Sequence, residues 1–208
     1  EKKMGITRSI LEVLAEAHHP VTIVTKSALV VRDLDLLGRL AAEQLVRVFV
    51  SLTTLDDDLK RRMEPRASGP VARLAAISKL AAGGIPVGVM FAPVVPAIND
   101  HELEDVLGAA AKAGAKTAGY LLLRLPGEVR DLFYEWLETH YPERANRVRN
   151  RIRELRGGRD YDPRFGATTG PWTRSSGRRA SCRSSRRGRR RRSSGCGPSA
   201  RSNASGSS

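Results

Sequence analysis

Four apolar runs each end in a group that could do chemistry. "VTIVTKS" at 21–27 places Lys26 after five β-branched residues, and "VRVFVSL" at 46–52 carries Ser51 near its end, with Thr53 and Thr54 just beyond. "PVGVMFA" at 86–92 ends in Ala92, followed by Pro93, and "TAGYLLL" at 117–123 is followed by Arg124. A lysine in that place has three readings. It can be a solvated strand end, a point charge for an anionic group, or a Schiff-base nucleophile, which needs an apolar pocket and an acid or base partner. The Ser51 hydroxyl can donate and accept a hydrogen bond, or merely form a turn. Arg124 suits an anionic group. Glu64 and Arg66 in "MEPRASGP" read as an ion pair that fixes a connection, with substrate contact as the alternative. Adjacent His18 and His19 read as a helix-end turn rather than a metal site, since neighbours on a helix point different ways.

These groups need elements to hold them. Ile6, Ile10, Leu11 and Leu14 recur at helical spacing, which predicts an amphipathic helix over 7–17. The four apolar runs predict strands at 21–25, 46–52, 86–92 and 117–123. Between them come helices at 33–44, capped by Asp33, at 70–82, ended by Gly83-Gly84, and at 101–113, capped by Asn99-Asp100 and ended by Gly114. Two more follow near 128–139 and 142–156, with Phe133, Trp136 and Leu137 as core residues. Alternating strands and helices mean parallel strands joined by right-handed crossovers, in an open doubly wound sheet or a (β/α) barrel. No glycine-rich phosphate loop follows any strand, which counts against a nucleotide-binding open sheet. In both architectures the site lies at the carboxyl ends of the strands, where Lys26, Ser51, Ala92 and Arg124 fall.

The 208 residues carry a formal net charge of +14, which suggests a nucleic-acid partner. Eleven arginines and no acidic residue lie from Pro171 onward, so residues 1–170 carry only +3, ordinary for a soluble domain. The stretch 171–208, containing "RRGRRRR", lacks hydrophobic periodicity and is expected to be disordered. Its Arg, Ser, Gly, Ala and Pro all have GC-rich codons, as an out-of-frame reading would produce; a basic nucleic-acid arm is the alternative. Cys182 and Cys196 lie there, wrongly spaced for zinc. Residues 1–170 hold no cysteine, which fits a cytoplasmic protein without disulfides. No apolar run approaches the roughly 20 residues that span a membrane. The start is no signal peptide and runs straight into a helix, like the inside of a longer protein.

Six segments then come in a telling order: "VTIVTKS", "VRVFVSLTTLD", "RRMEPRASGP", "GGIPVGVMFAPVVPAIND", "GYLLLRLP" and "YDPRFG". Over about residues 1–170 the chain resembles the radical SAM proteins, in particular the branch related to spore photoproduct lyase, often labelled DNA repair photolyase-like. The resemblance implies a partial (β/α) barrel, of which this chain supplies the third to sixth strands. It implies S-adenosylmethionine and a [4Fe–4S] cluster as cofactors. The cluster's cysteines, C-x-x-x-C-x-x-C on the family's first loop, are expected outside this chain, which alone would be inactive. It also implies roles: Lys26 as the cation for the cofactor's carboxylate, Ser51 bonding a ribose hydroxyl or carboxylate oxygen, and Ala92 letting adenine approach the backbone. A DNA lesion as substrate is suggested by the branch alone.

Overall fold

The computed structural model describes residues 4–161, 163 and 169–172, all within the unit Glu1–Arg174. Helix α1 (Ile6–Glu16) leads into strand β1 (Val21–Thr25), a 3₁₀ turn (Ala28–Asp33) and α2 (Leu34–Ala42). Strand β2 (Val46–Ser51) is followed by α3 (Asp57–Met63) and α4 (Pro70–Ala82). Strand β3 (Val87–Val94) precedes α5 (Leu103–Lys112), and β4 (Thr117–Leu122) precedes α6 (Val129–His140) and α7 (Pro142–Leu155). A last strand, β5 (Thr169–Trp172), pairs antiparallel with β4.

Strand order decides between the two architectures left open by periodicity. A doubly wound sheet reverses its order at a switch point and takes helices on both faces. Here β1, β2, β3 and β4 lie in sequential order and pair parallel throughout. Val46, Val48 and Val50 of β2 and Val87, Val89 and Phe91 of β3 point to one face, as period-2 alternation requires. They share a single core with Leu11 of α1, Leu37 of α2, Ile77 and Leu80 of α4, and Val106 of α5. Those helices therefore cover one face, as in a barrel wall. The fold is α/β, consistent with a partial radical SAM barrel.

The opposite face carries Val24, Phe49, Gly88 and Thr117 in one register row. A Cβ on Gly88 would collide with Thr117 Oγ1 and lie 2.7 Å from the Phe49 ring. Glycine there leaves the space in which Phe49 crosses β3. A second core lies beyond the carboxyl ends of the strands. It joins Leu59 of α3, Val95 and Ile98 after β3, and Leu125 after β4 to Leu137 of α6 and Val148 and Ile152 of α7. Leu137 is fully buried, while Phe133 and Trp136 stack 5.7 Å apart at its half-buried edge. Trp136 Nε1 donates to the Arg62 carbonyl at 3.2 Å, tying α6 to α3.

Several local expectations need correction. Asp33 does not cap α2; its buried carboxylate accepts from Arg8 Nη1 at 3.3 Å instead. On α1 the covered residues are Leu11 and Ala15, whereas Ile6 and Ile10 are exposed. Helix α3 escaped periodicity because "DDLKRRM" is short and polar; Asp56 starts it by accepting from the Asp58 amide at 2.7 Å. Strand β5 runs across the 170/171 boundary drawn from composition. The rest of 171–208, with Cys182 and Cys196, lies outside the described residues.

Candidate functional site

The carboxyl ends of β1, β2 and β3 meet in one hydrogen-bonded network. Lys26, directly after β1, pairs its ammonium with Glu64 Oε1. Glu64 sits just past α3, where the chain turns back toward the sheet. Its Oε1 also accepts from Thr53 Oγ1 at 2.7 Å, and its Oε2 from Arg73 Nη2 at 2.5 Å. Arg73, in the first turns of α4 and 1% exposed, uses its other donors on backbone: Nε on the Ser68 carbonyl at 2.8 Å and Nη1 on the Ser51 carbonyl at 2.9 Å. Ser51 Oγ donates to the Ala92 carbonyl at 3.1 Å, and Thr53 Oγ1 lies 2.9 Å from the same oxygen. Thr53 has one proton for two acceptors and must share it. Lys26, Ser51 and Ala92 are thus brought together, with Glu64, Thr53 and Arg73 as the links.

Two cations and one anion leave this cluster with a net charge of +1. Burial pushes the Glu64 carboxyl up, but hydrogen bonds from Lys26, Arg73 and Thr53 outweigh it and hold the group below the usual carboxylate range. The side chain of Lys26 is 40% exposed, against 10% for Glu64 and 2% for Arg73. Lys26 is therefore the cation that an incoming anion can reach. Ser51 is 3% exposed and its proton is already given to Ala92. As found, it ties β2 to β3, and only its lone pairs remain for a ligand donor.

Neighbouring polar groups turn out to be structural. Asn99 is not a helix cap. Fully buried, it accepts from the Val95 amide at 2.7 Å and donates to the Thr53 and Pro93 carbonyls at 2.7 and 3.0 Å. Glu102 accepts from Thr54 Oγ1 at 2.6 Å and the Leu55 amide at 2.7 Å, so the loops after β2 and β3 are cross-linked. Glu64 pairs with Lys26 and Arg73, not with Arg66, which is exposed. Arg124 donates to the Tyr161 hydroxyl at 3.0 Å and lies over its ring at 5.5 Å. It thereby anchors the start of "YDPRFG", whose residues 162 and 164–166 lie outside the described set. Arg73 was missed from sequence. Its signal was its place on the same stripe as Ile77 and Leu80, where a charge needs a buried partner.

The family model described as the radical SAM superfamily matches residues 4–110, the stretch that contains Lys26, Ser51, Glu64, Arg73 and Ala92. The chain belongs to the radical SAM superfamily. Among its relatives, an uncharacterized protein of Mycobacterium tuberculosis is 37% identical over 155 residues, 74% of this chain and 46% of that protein. One from Acidianus two-tailed virus is 39% identical over 90 residues, 43% of this chain and 29% of its own length. One from Methanocaldococcus jannaschii is 27% identical over 151 residues, 73% and 55% respectively. This radical SAM chain spans about half the length, or less, of these relatives. No solved structure matches it significantly.

Radical SAM membership implies S-adenosylmethionine and a [4Fe–4S] cluster in general, and the residues present fit the two differently. A reachable ammonium beside a serine hydroxyl and a small residue suits a zwitterionic nucleoside ligand. Residues 1–170 contain no cysteine, and among the described residues no cluster of His, Cys, Asp and Glu is placed to hold a metal. The iron–sulfur cluster does not fit here. Among the described residues no helix is long and apolar enough to cross a membrane.

Proposed function

We propose that this chain is the S-adenosylmethionine-holding part of a radical SAM enzyme whose cluster-ligating cysteines are carried by residues outside it. Bound beside a cluster, S-adenosylmethionine would supply the radical chemistry of the superfamily, with Lys26, Ser51 and Ala92 as the residues that would hold it. The chain's own residues bind and orient. Lys26 offers the N–H groups not taken by Glu64 to the cofactor's carboxylate. Glu64, fixed by Arg73 and Thr53, keeps that ammonium at the strand ends. Ser51 presents lone pairs to a ribose hydroxyl, and Ala92 leaves room for adenine against backbone. The observation that carries this reading is the network joining Lys26, Ser51 and Ala92 at three adjacent strand ends. The finer placement in the spore photoproduct lyase-related branch, with a DNA lesion as substrate, rests on the six ordered segments alone.

A Schiff-base role for Lys26 is less well supported. That chemistry needs an apolar pocket as well as an acid or base partner; Glu64 could serve as the partner, but the Lys26 side chain is 40% exposed among polar groups. The test uses the longer protein bearing the three-cysteine loop, loaded anaerobically. A hydrogen bond to a charged group contributes about 1.5–3 kcal/mol, so Lys26→Ala should weaken S-adenosylmethionine binding roughly ten- to a hundredfold by calorimetric titration. Ser51→Ala should cost less, about 0.5–1.5 kcal/mol, with the cluster spectrum unchanged in both. Equal affinity in wild type and Lys26→Ala would sink the assignment.

A further inference from the structure

The positive charge of the unit 1–170 is not spread over it. Residues 142–160 hold seven arginines and three acidic residues, a net +4, while residues 1–141 come to −1. The structure sorts six of these arginines into two kinds, with Arg159 exposed beyond α7. Arg149 pairs with Glu138 at 2.8 Å and lies over the Tyr134 ring at 4.7 Å. Arg153 binds Asp160 at 2.7 Å, and Arg156 donates to the Asp160 and Leu123 carbonyls. Arg149 thereby ties α7 to α6, while Arg153 and Arg156 hold the segment after α7 in place. Arg144 and Arg147 are exposed, and neither has a carboxylate at ion-pair distance among the described residues. Arg151 has only the exposed Glu154, at 3.4 Å, a pair that water screens to little effect.

Arg144, Arg147 and Arg151 form a stripe. At 3.6 residues per turn they fall within about 60° of arc and span about 10 Å of helix axis. We infer that this exposed face of α7 binds the phosphate backbone of nucleic acid. Duplex DNA presents one negative charge per roughly 1.7 Å of axis, so the stripe meets more phosphates than it has guanidinium groups. Guanidinium matches phosphate oxygens bidentately. Glu143 and Glu154, near the two ends of the helix, lie within about 40° of Arg147 at one edge of the stripe, and the exposed Asn146 and Asn150 beyond them are neutral hydrogen-bonding groups. A membrane surface fits worse, because a helix lying in it needs a free apolar face. On α7 the apolar residues Ala145, Val148 and Ile152 are buried in the second core, which leaves Leu155 exposed. Three backbone contacts carry no base reading, so binding is independent of sequence. The surface shares no residue with the Lys26 network and does not depend on the proposed cofactor.

The test uses the full 208-residue chain with the eleven arginines beyond Pro171 replaced by glutamine, which removes the competing basic stretch. Fluorescence anisotropy with a mixed-sequence 30-base-pair duplex, over a salt series, should give a log–log slope near −2.7, about −0.9 for each of three phosphates. Adding Arg144→Gln, Arg147→Gln and Arg151→Gln should flatten the slope to within about one unit of zero and weaken binding at least tenfold at low salt. Circular dichroism melting should be unchanged. If the triple variant melts early, Arg147→Gln alone must reduce the slope by about 0.9. No duplex binding by the tail-neutral chain, or a slope indifferent to these substitutions, overturns the inference. Binding to phosphatidylserine vesicles as tight as to the duplex reassigns the face to membrane and overturns it equally.

Discussion

Glu64 holds two cations at once, one buried and one reachable, and that gives it a measurable acid signature. Its carboxyl lies below the usual range because the hydrogen bonds from Lys26, Arg73 and Thr53 outweigh the opposing effect of burial. A group depressed in the folded state stabilises the fold above its unfolded value, near 4.3 for glutamate. That contribution disappears as pH falls through the folded value. Glu64→Gln should therefore cost about 3–5 kcal/mol at neutral pH, most of it from stranding the buried Arg73 guanidinium; the half-exposed Lys26 adds little through solvent. The variant should also lose less further stability than wild type between pH 5 and pH 3. Urea midpoints across that range would show the two curves converging. Parallel acid limbs would mean that Glu64 does not carry the coupling.

Among the elements, β3 is the one whose sequence is most tightly dictated by a neighbour. Gly88 has no room for a Cβ between Thr117 Oγ1 and the Phe49 ring. Gly88→Ala must push Phe49 off the sheet or displace β4, an overpacking that costs about 1–3 kcal/mol. Combining it with Phe49→Leu should recover part of the loss, because the obstructing ring is gone. A denaturant series on the two single variants and the double variant measures this coupling. Strict additivity would show that Phe49 is not the obstacle. Element existence was largely legible: all four parallel strands and the helices α1, α2, α4, α5, α6 and α7 lie within two residues of where the sequence put them. Helix α3 and strand β5 were not, since a seven-residue segment with only Leu59 and Met63 apolar, and "TGPW", carry too little periodic signal. Their formation depends on an aspartate cap and on the open edge of β4.

For the molecule as a whole, the first question is whether this chain can hold an iron–sulfur cluster. With no cysteine in residues 1–170, the 208-residue chain reconstituted with iron and sulfide should hold no stoichiometric [4Fe–4S] cluster. Mössbauer spectroscopy decides it; a stable four-iron signal lost on mutating Cys182 or Cys196 would refute the expectation. The charge of the whole molecule is equally instructive. A net +3 over residues 1–170 reads as ordinary, yet +4 of charge sits on and just after α7, because a sum hides where the folded chain places its parts.

Sequence by itself determined the strand–helix alternation, the positions of Lys26, Ser51 and Ala92 at strand ends, and the absence of cluster ligands from residues 1–170. Those are local properties: β-branched runs, periodicity and residue identity do not depend on what packs nearby. Tertiary structure alone decided that the strands run in order with helices on one face. It also decided that Glu64 answers Lys26 and Arg73 rather than Arg66, and that Asn99 cross-links two loops instead of capping a helix. Lys26 with Glu64 and Asn99 with Thr53 each join groups more than thirty residues apart. Such pairs form only because burial leaves a charge or an amide no water to bind and forces it to take the nearest complementary group.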